Sequence, residues 1–150
     1  LNIHPRVAIG HLSLARVKGF IGDDFEAQYN AEKALSIALK LYGNSSNHIF
    51  VAVCRIFVAK HLIRASFYDY AKQTLAEAKR TVLLFCEEQV GNMNHPLCAL
   101  LLKTFSTLAV YVSDYPNALR ILRKSLAISQ SIYCHKYVIS FEDHFLHFFF

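Results

Sequence analysis

Apolar residues recur at helical spacing in six segments of this 150-residue chain. In one of them Ala27, Ala31, Ala34 and Ala38 fall one turn apart and define a narrow face of small residues. A period near 3.6 residues predicts amphipathic helices. The predicted helices span about 5–18, 24–42, 48–65, 68–90, 96–112 and 115–133.

Short and longer breaks alternate between these helices. Turns are predicted at 19–23, 66–67 and 113–114, and linkers at 44–47 and 92–95. Short turns join neighbouring helices that run antiparallel, so the chain is predicted to be all-α and built from three helix pairs. Ser46 or Asn47 is predicted to cap the third helix. On the sixth helix, the predicted buried face consists of Ala118, Leu119, Leu122, Leu126 and Ile128.

The three pairs begin with one motif. His4-Pro5-Arg6-Val7-Ala8 returns as His48-Ile49-Phe50-Val51-Ala52 and as His95-Pro96-Leu97-Cys98-Ala99, at intervals of 44 and 47 residues. A repeat of this length indicates a solenoid of stacked helix pairs. The repeats cover about 4–43, 48–91 and 95–134, and 135–150 form an atypical aromatic tail.

Small residues keep the same register in each repeat. Ala15, Ala59 and Ser106 lie 11 residues after the initial His, and Ala27, Ala71 and Ala118 lie 23 residues after it. Helices that cross closely leave room only for small side chains. The two small residues of each repeat are therefore predicted to face one another where its helices cross.

The composition bears on membrane insertion, on the cellular compartment and on the charge of possible partners. Hydrophobic residues make up 54% of the chain, yet no apolar run is long enough to predict a membrane span. The four cysteines form no Cys-x-x-Cys pair and are predicted to be core residues of a protein in a reducing, cytoplasmic compartment. The formal net charge of +5 favours acidic partners.

Motifs for catalysis are missing from the sequence. It contains no Gly-rich phosphate loop, no Gly-x-Ser-x-Gly and no His-Glu-x-x-His. His144 and His147 have a spacing that could bind a metal on a helix, but a third fixed ligand is not evident. His95 and Cys98 share that spacing, and His95 is better explained as a capping or packing residue. We therefore expect no catalytic residue, metal, cofactor or small-molecule substrate.

The repeats resemble tetratricopeptide repeats of the kinesin-light-chain type. The resemblance rests on the His-Pro-x-Val-Ala head at His4, on Tyr-x-x-Ala at 68–71 and 115–118, and on Ala-Leu-x-Ile at 34–37. It implies a right-handed superhelix whose first helices line a concave groove that binds peptides, in an adaptor for protein transport or ubiquitin-ligase recruitment. Asp24 stands where the family usually has Tyr, and Ser13, Phe57 and Thr104 stand near positions where it usually has Asn.

Seven residues are the candidates for the groove that this resemblance implies. They are Arg16, Phe20, Lys60, Arg64, Lys103, Thr107 and Tyr111. Cations would bind acidic side chains or a C-terminal carboxylate, and the aromatic rings would supply contact area. Three alternatives remain: an ordinary solvated basic face, a basic helical-repeat module that binds nucleic acid, and a structural spacer. The sequence does not specify the oligomeric state.

Overall fold

A computed structural model describes residues 3–43 and 47–133. These residues form six α-helices, and no strand occurs among them. The fold of the described chain is therefore all-α. The helices are α1 (Pro5–Phe20), α2 (Asp24–Tyr42), α3 (Ile49–Arg64), α4 (Tyr68–Phe85), α5 (Pro96–Tyr111) and α6 (Tyr115–Tyr133), with a π-helical turn at Cys86–Val90 directly after α4. The predicted tail at 135–150 lies outside the described residues.

A histidine caps the first helix of each pair. The ring Nδ1 of His4, His48 and His95 accepts a hydrogen bond from the backbone N–H two residues later, at 3.1, 3.2 and 3.1 Å. Each ring thereby satisfies one of the N–H groups that a helix start leaves without a partner. The predicted cap of α3 at Ser46 or Asn47 is wrong, because His48 occupies that position.

An aromatic ring from the preceding helix contacts two of these caps. The ring of Tyr42 stacks on His48 with centroids 3.6 Å apart and planes 5° apart. The ring of Phe85 meets His95 edge-on, with centroids 5.2 Å apart. These contacts hold the imidazoles against the end of the previous repeat and partly remove them from water.

The turn between the two helices of a pair has the same backbone geometry in all three repeats. Gly22, Ser66 and Ser113 have φ values of 84°, 66° and 63°, and each lies 18 residues after the initial His of its repeat. The next backbone N–H then reaches back five residues, from Asp23 to Lys18, from Phe67 to Leu62 and from Asp114 to Ala109. This is the hydrogen bond of a Schellman motif. The same helix ending, found three times, supports the repeat on structural grounds.

Replacing Ser66 or Ser113 by glycine should stabilise the chain. The left-handed conformation costs an L-residue roughly 1 kcal/mol, and glycine adopts it without that cost. We expect each substitution to raise the free energy of unfolding by a few tenths to about 1 kcal/mol, since glycine also has more freedom in the unfolded chain. Urea denaturation measures the change. Gly22→Ser is the reverse control and should destabilise by a similar amount.

The described chain divides into two compact units. In the first, Leu1–Thr81, α1 packs against α2, α2 packs against α3, and α1 also touches α3. Ala15 and Ala27 are fully buried, as are Ala59 and Ala71. Small residues thus fill the interior of this unit at the positions that the repeat predicts. Arg55 of α3 and Glu77 of α4 form an ion pair, with 3.0 Å between Nε and Oε2.

The second unit, Val82–Phe150, contains the packing of α5 on α6. The Ser106 hydroxyl donates to the carbonyl of Ala118 at 3.0 Å, and the Ser125 hydroxyl donates to that of Ala99 at 2.8 Å. The first bond confirms that the small residues at these two positions face each other.

The outer side of α6 differs from its prediction. Ala118 is buried, but Leu119, Leu122 and Leu126 are 55%, 46% and 55% exposed. The position of Leu122 corresponds to Ala31, which is fully buried on a helix that contacts neighbours on two sides. Helix α6 is the last helix of the described chain, so the described residues cover only one of its sides.

Within 3–43 and 47–133, no helix is both long and apolar enough to cross a membrane.

Candidate peptide-binding surface

Six of the seven candidate residues fall on two equivalent positions of the first helices. Arg16, Lys60 and Thr107 each lie 12 residues after the initial His of their repeat. Phe20, Arg64 and Tyr111 each lie 16 residues after it. The two positions are one helical turn apart, so they form a row along one side of each helix.

The burial of these rows repeats as well. Arg16, Lys60 and Thr107 are half-buried, whereas Phe20, Arg64 and Tyr111 are exposed. Phe20 is 75% exposed and Tyr111 is 48% exposed. Each first helix therefore presents a partly covered residue followed by an accessible one. In the first unit, the rows of α1 and α3 belong to helices that touch.

Lys103 does not share these positions. It lies 8 residues after His95, where the other repeats have Leu12 and Ile56, each 1% exposed. Lys103 is exposed and is joined to Thr107 through the backbone, because the Thr107 hydroxyl donates to its carbonyl at 3.0 Å. It lies one turn before the row of α5 and has no counterpart on α1 or α3.

Arg64 makes two contacts inside the first unit. Its Nη1 donates to the carbonyl of Gly19 at 2.8 Å, and its Nε lies 2.8 Å from Asp24 Oδ1. One guanidinium thus joins the end of α3 to the end of α1 and the start of α2. Arg64 therefore has a structural role that the sequence did not reveal.

Gly19 explains how the two helices approach at this point. It is buried, and a Cβ placed on it would lie 3.1 Å from Cε1 of His61 and 3.4 Å from Nη1 of Arg64. The distance to His61 is tighter than ordinary side-chain contacts, and His61 is only 2% exposed. The missing side chain of Gly19 leaves the space that the imidazole and guanidinium of α3 use.

Neutralising Arg64 should weaken the first unit. We expect Arg64→Gln to lower the free energy of unfolding by about 1 kcal/mol, a value reduced because the side chains of Arg64 and Asp24 are 34% and 41% exposed. Arg64→Lys should not restore the loss, because an ammonium cannot reproduce the planar fork that makes both contacts. Urea denaturation tests this, and Arg80→Gln on the exposed side of α4 is the matched control. Equal losses at Arg64 and Arg80 would contradict the structural role.

The other charges around these rows are partly neutralised. Lys18 Nζ lies 3.2 Å from Asp23 Oδ2, and the other carboxylate oxygen of Asp23, Oδ1, caps α2 by accepting from the N–H of Glu26. Arg16 and Lys60 are the half-buried cations of the two rows in this unit. They lie one turn before the exposed residues Phe20 and Arg64.

A metal site is not formed by the described residues. In residues 3–43 and 47–133, no three His, Cys, Asp or Glu side chains lie close enough to hold an ion. His144 and His147, whose spacing could bind a metal on a helix, lie outside the described part of the chain.

Comparisons with protein-family models, with curated proteins and with solved structures found no match.

Proposed function

We propose that this chain is a non-enzymatic protein-binding module of the tetratricopeptide type, a scaffold or adaptor whose first helices hold an extended peptide. The observation that carries the proposal is the repeated row on α1, α3 and α5, with one half-buried and one exposed residue on each helix. By the family resemblance, the three pairs would stack into a right-handed solenoid with these rows on its concave side. The function of the initial histidines would then be architectural, since they begin the helices that carry the rows.

The ligand that suits this surface is an acidic peptide or a free C-terminal carboxylate. Arg16 and Lys60 supply cationic groups in the first unit, and Arg–carboxylate pairs combine charge with directed hydrogen bonds. Phe20 offers a large apolar surface that ligand side chains can cover, as aromatic anchors do in interfaces. Its exposure of 75% means that the ring contributes little to folding and is available for binding.

The wider role follows from resemblance. The first repeat is similar to later repeats of amyloid protein-binding protein 2 in Asn2-Ile3-His4, in Val7-Ala8 and in the run 30–34. That similarity suggests intracellular protein transport or recruitment of substrates to a ubiquitin ligase. It covers the repeats only, and not the N-terminal region that joins that protein to a cullin ligase.

The test is a peptide array of acidic sequences with free C-termini, followed by fluorescence anisotropy on the peptides that bind. We expect Phe20→Ser and Lys60→Glu each to weaken binding about tenfold or more. Lys79→Glu, on the exposed side of α4, makes the same charge change away from the rows and should leave affinity unchanged. Arg64 is not used, because its substitution would also disturb the first unit.

Two outcomes would overturn the proposal. If peptides bind and neither row substitution changes their affinity, the binding surface lies elsewhere. An array without binders, together with tight binding of a 20-nucleotide single-stranded RNA that weakens steeply with salt, would favour the nucleic-acid alternative. Absence of both kinds of binding would leave the structural spacer.

A further inference from the structure

Two buried thiols meet in the second unit. The Sγ atoms of Cys86 and Cys98 are 2.9 Å apart, and both residues are free cysteines with 0% and 1% exposure. Cys86 is the first residue of the π-helical turn after α4, and Cys98 lies in the first turn of α5. The pair therefore bridges the two ends of the linker between the second and third repeats.

The geometry is close to that of a bonded pair. A disulfide has an S–S distance of about 2.05 Å, so the two sulfurs need to approach by less than about 1 Å. The fold already directs both side chains at each other, and no long-range rearrangement is required. We propose that Cys86 and Cys98 are a modification site, at which a small-molecule disulfide such as oxidised glutathione forms a reversible internal disulfide.

The reaction balances through two exchange steps. One protein thiol loses its proton and its sulfur attacks oxidised glutathione, whose S–S bond breaks and releases one glutathione thiolate that takes up a proton. The second protein thiol then loses its proton and attacks the protein sulfur of the mixed disulfide. A second glutathione leaves and is protonated. Two protein thiols are oxidised to one disulfide, and one oxidised glutathione is reduced to two thiols.

Burial makes this reaction slow in the folded state. Burial raises the pKa of Cys98, and the neighbouring Cys86 thiol raises it further, so little thiolate is present near neutral pH. Glutathione reaches the sulfurs only when the linker opens. Residues 91–94 are exposed and follow a π-helical turn, a rare arrangement that interrupts the regular helix. Opening of this short segment is the expected route, and reclosing would shield the bond from reductants.

Cys54 is the internal control. It is also fully buried, and burial raises its pKa to about 12, but it belongs to α3 of the first unit. If access required global unfolding, Cys54 would react as fast as the pair. If the linker opens locally, the pair should react at least about tenfold faster.

The experiment incubates the full chain with oxidised glutathione, traps the remaining thiols with N-ethylmaleimide at timed intervals, and maps the digested peptides by mass spectrometry. We expect linked peptides containing Cys86 and Cys98, lighter by about 2 Da than the two thiol peptides together because two hydrogens are lost. Dithiothreitol should restore both thiols. The variant Cys86→Ser should give no internal bond and leave Cys98 as a thiol or as a glutathione adduct.

Three results would overturn the proposal. One is a pair that stays reduced after prolonged incubation. The second is a bond from either residue to Cys134 or to another chain in place of the internal bond. The third is oxidation of Cys54 at the same rate as the pair, which would mean that only unfolded chains react.

Discussion

The free energy of unfolding is expected to fall as the pH is lowered from about 7 towards 5. His48 and His95 cap their helices by accepting a hydrogen bond at Nδ1, and only a neutral imidazole has a free lone pair there. Protonation places a hydrogen on Nδ1, opposite the backbone N–H that it capped. Each protonated cap therefore loses its bond and faces another donor.

The direction of this effect follows from the pKa values. Burial lowers the pKa of His48 and of His95 below the ordinary value of 6.5. Between the lowered and the ordinary values the unfolded chain binds more protons than the folded one. The contribution of these caps is thus fully present above pH 6.5, and it declines as the pH falls from there towards the lowered folded-state pKa.

Asparagine replacements separate capping from titration. His48→Asn and His95→Asn keep a side-chain acceptor at the cap and have no charge to gain, so the double variant should have a flatter profile between pH 7 and 5. His48→Ala and His95→Ala should each cost about 1 kcal/mol at pH 7, where both caps are intact in the native chain. Urea denaturation followed by circular dichroism at several pH values measures both effects. A double Asn variant that loses stability as steeply as the native chain would show that other groups cause the fall.

Helix limits proved the most predictable part of this fold. The predicted limits of α2 and α6 match the structure, because Asp23 caps α2 and Gly43 ends it, while Asp114 caps α6. Local signals of this kind act within one turn and can be read from a short stretch of sequence. The predicted fourth helix, 68–90, was continuous, whereas the structure changes to a π-helical turn at Cys86. No local residue pattern predicts that change from an α-helix to a π-helical turn.

Features that depend on neighbours were harder to predict. Leucines at helical spacing on α6 predict an apolar face, but this spacing does not indicate whether another helix covers that face. Arg64 was predicted to line a groove because it lies on the first helix of a pair, but its bond to Gly19 joins residues 45 apart in the chain. The Cys86–Cys98 contact likewise depends on how the linker folds back. In each case the missing information is a tertiary contact, which one repeat considered alone does not contain.

Enlarging a small residue at a helix crossing is expected to produce the largest loss of stability. Ala27 is fully buried on α2, which packs against both α1 and α3. Ala31, one turn further along α2, and Ala15, the small residue of α1 in the same repeat, are also fully buried. Ala27→Leu adds three carbon atoms at a fully buried position, where the larger side chain cannot turn outward into water. Overpacking of this kind costs about 1–3 kcal/mol, because backbones shift or side chains leave their preferred rotamers.

A matched substitution isolates packing from helix propensity. Ala76→Leu makes the same change on the exposed side of α4, where alanine and leucine are both good helix formers, and it should alter stability by less than about 0.5 kcal/mol. Urea denaturation of the two variants gives the comparison. If Ala27→Leu were as mild as Ala76→Leu, the helices would have room at this position, and the repeated alanine would need a cause other than close approach. A loss confined to Ala27→Leu would instead explain why the register of small residues persists through all three repeats.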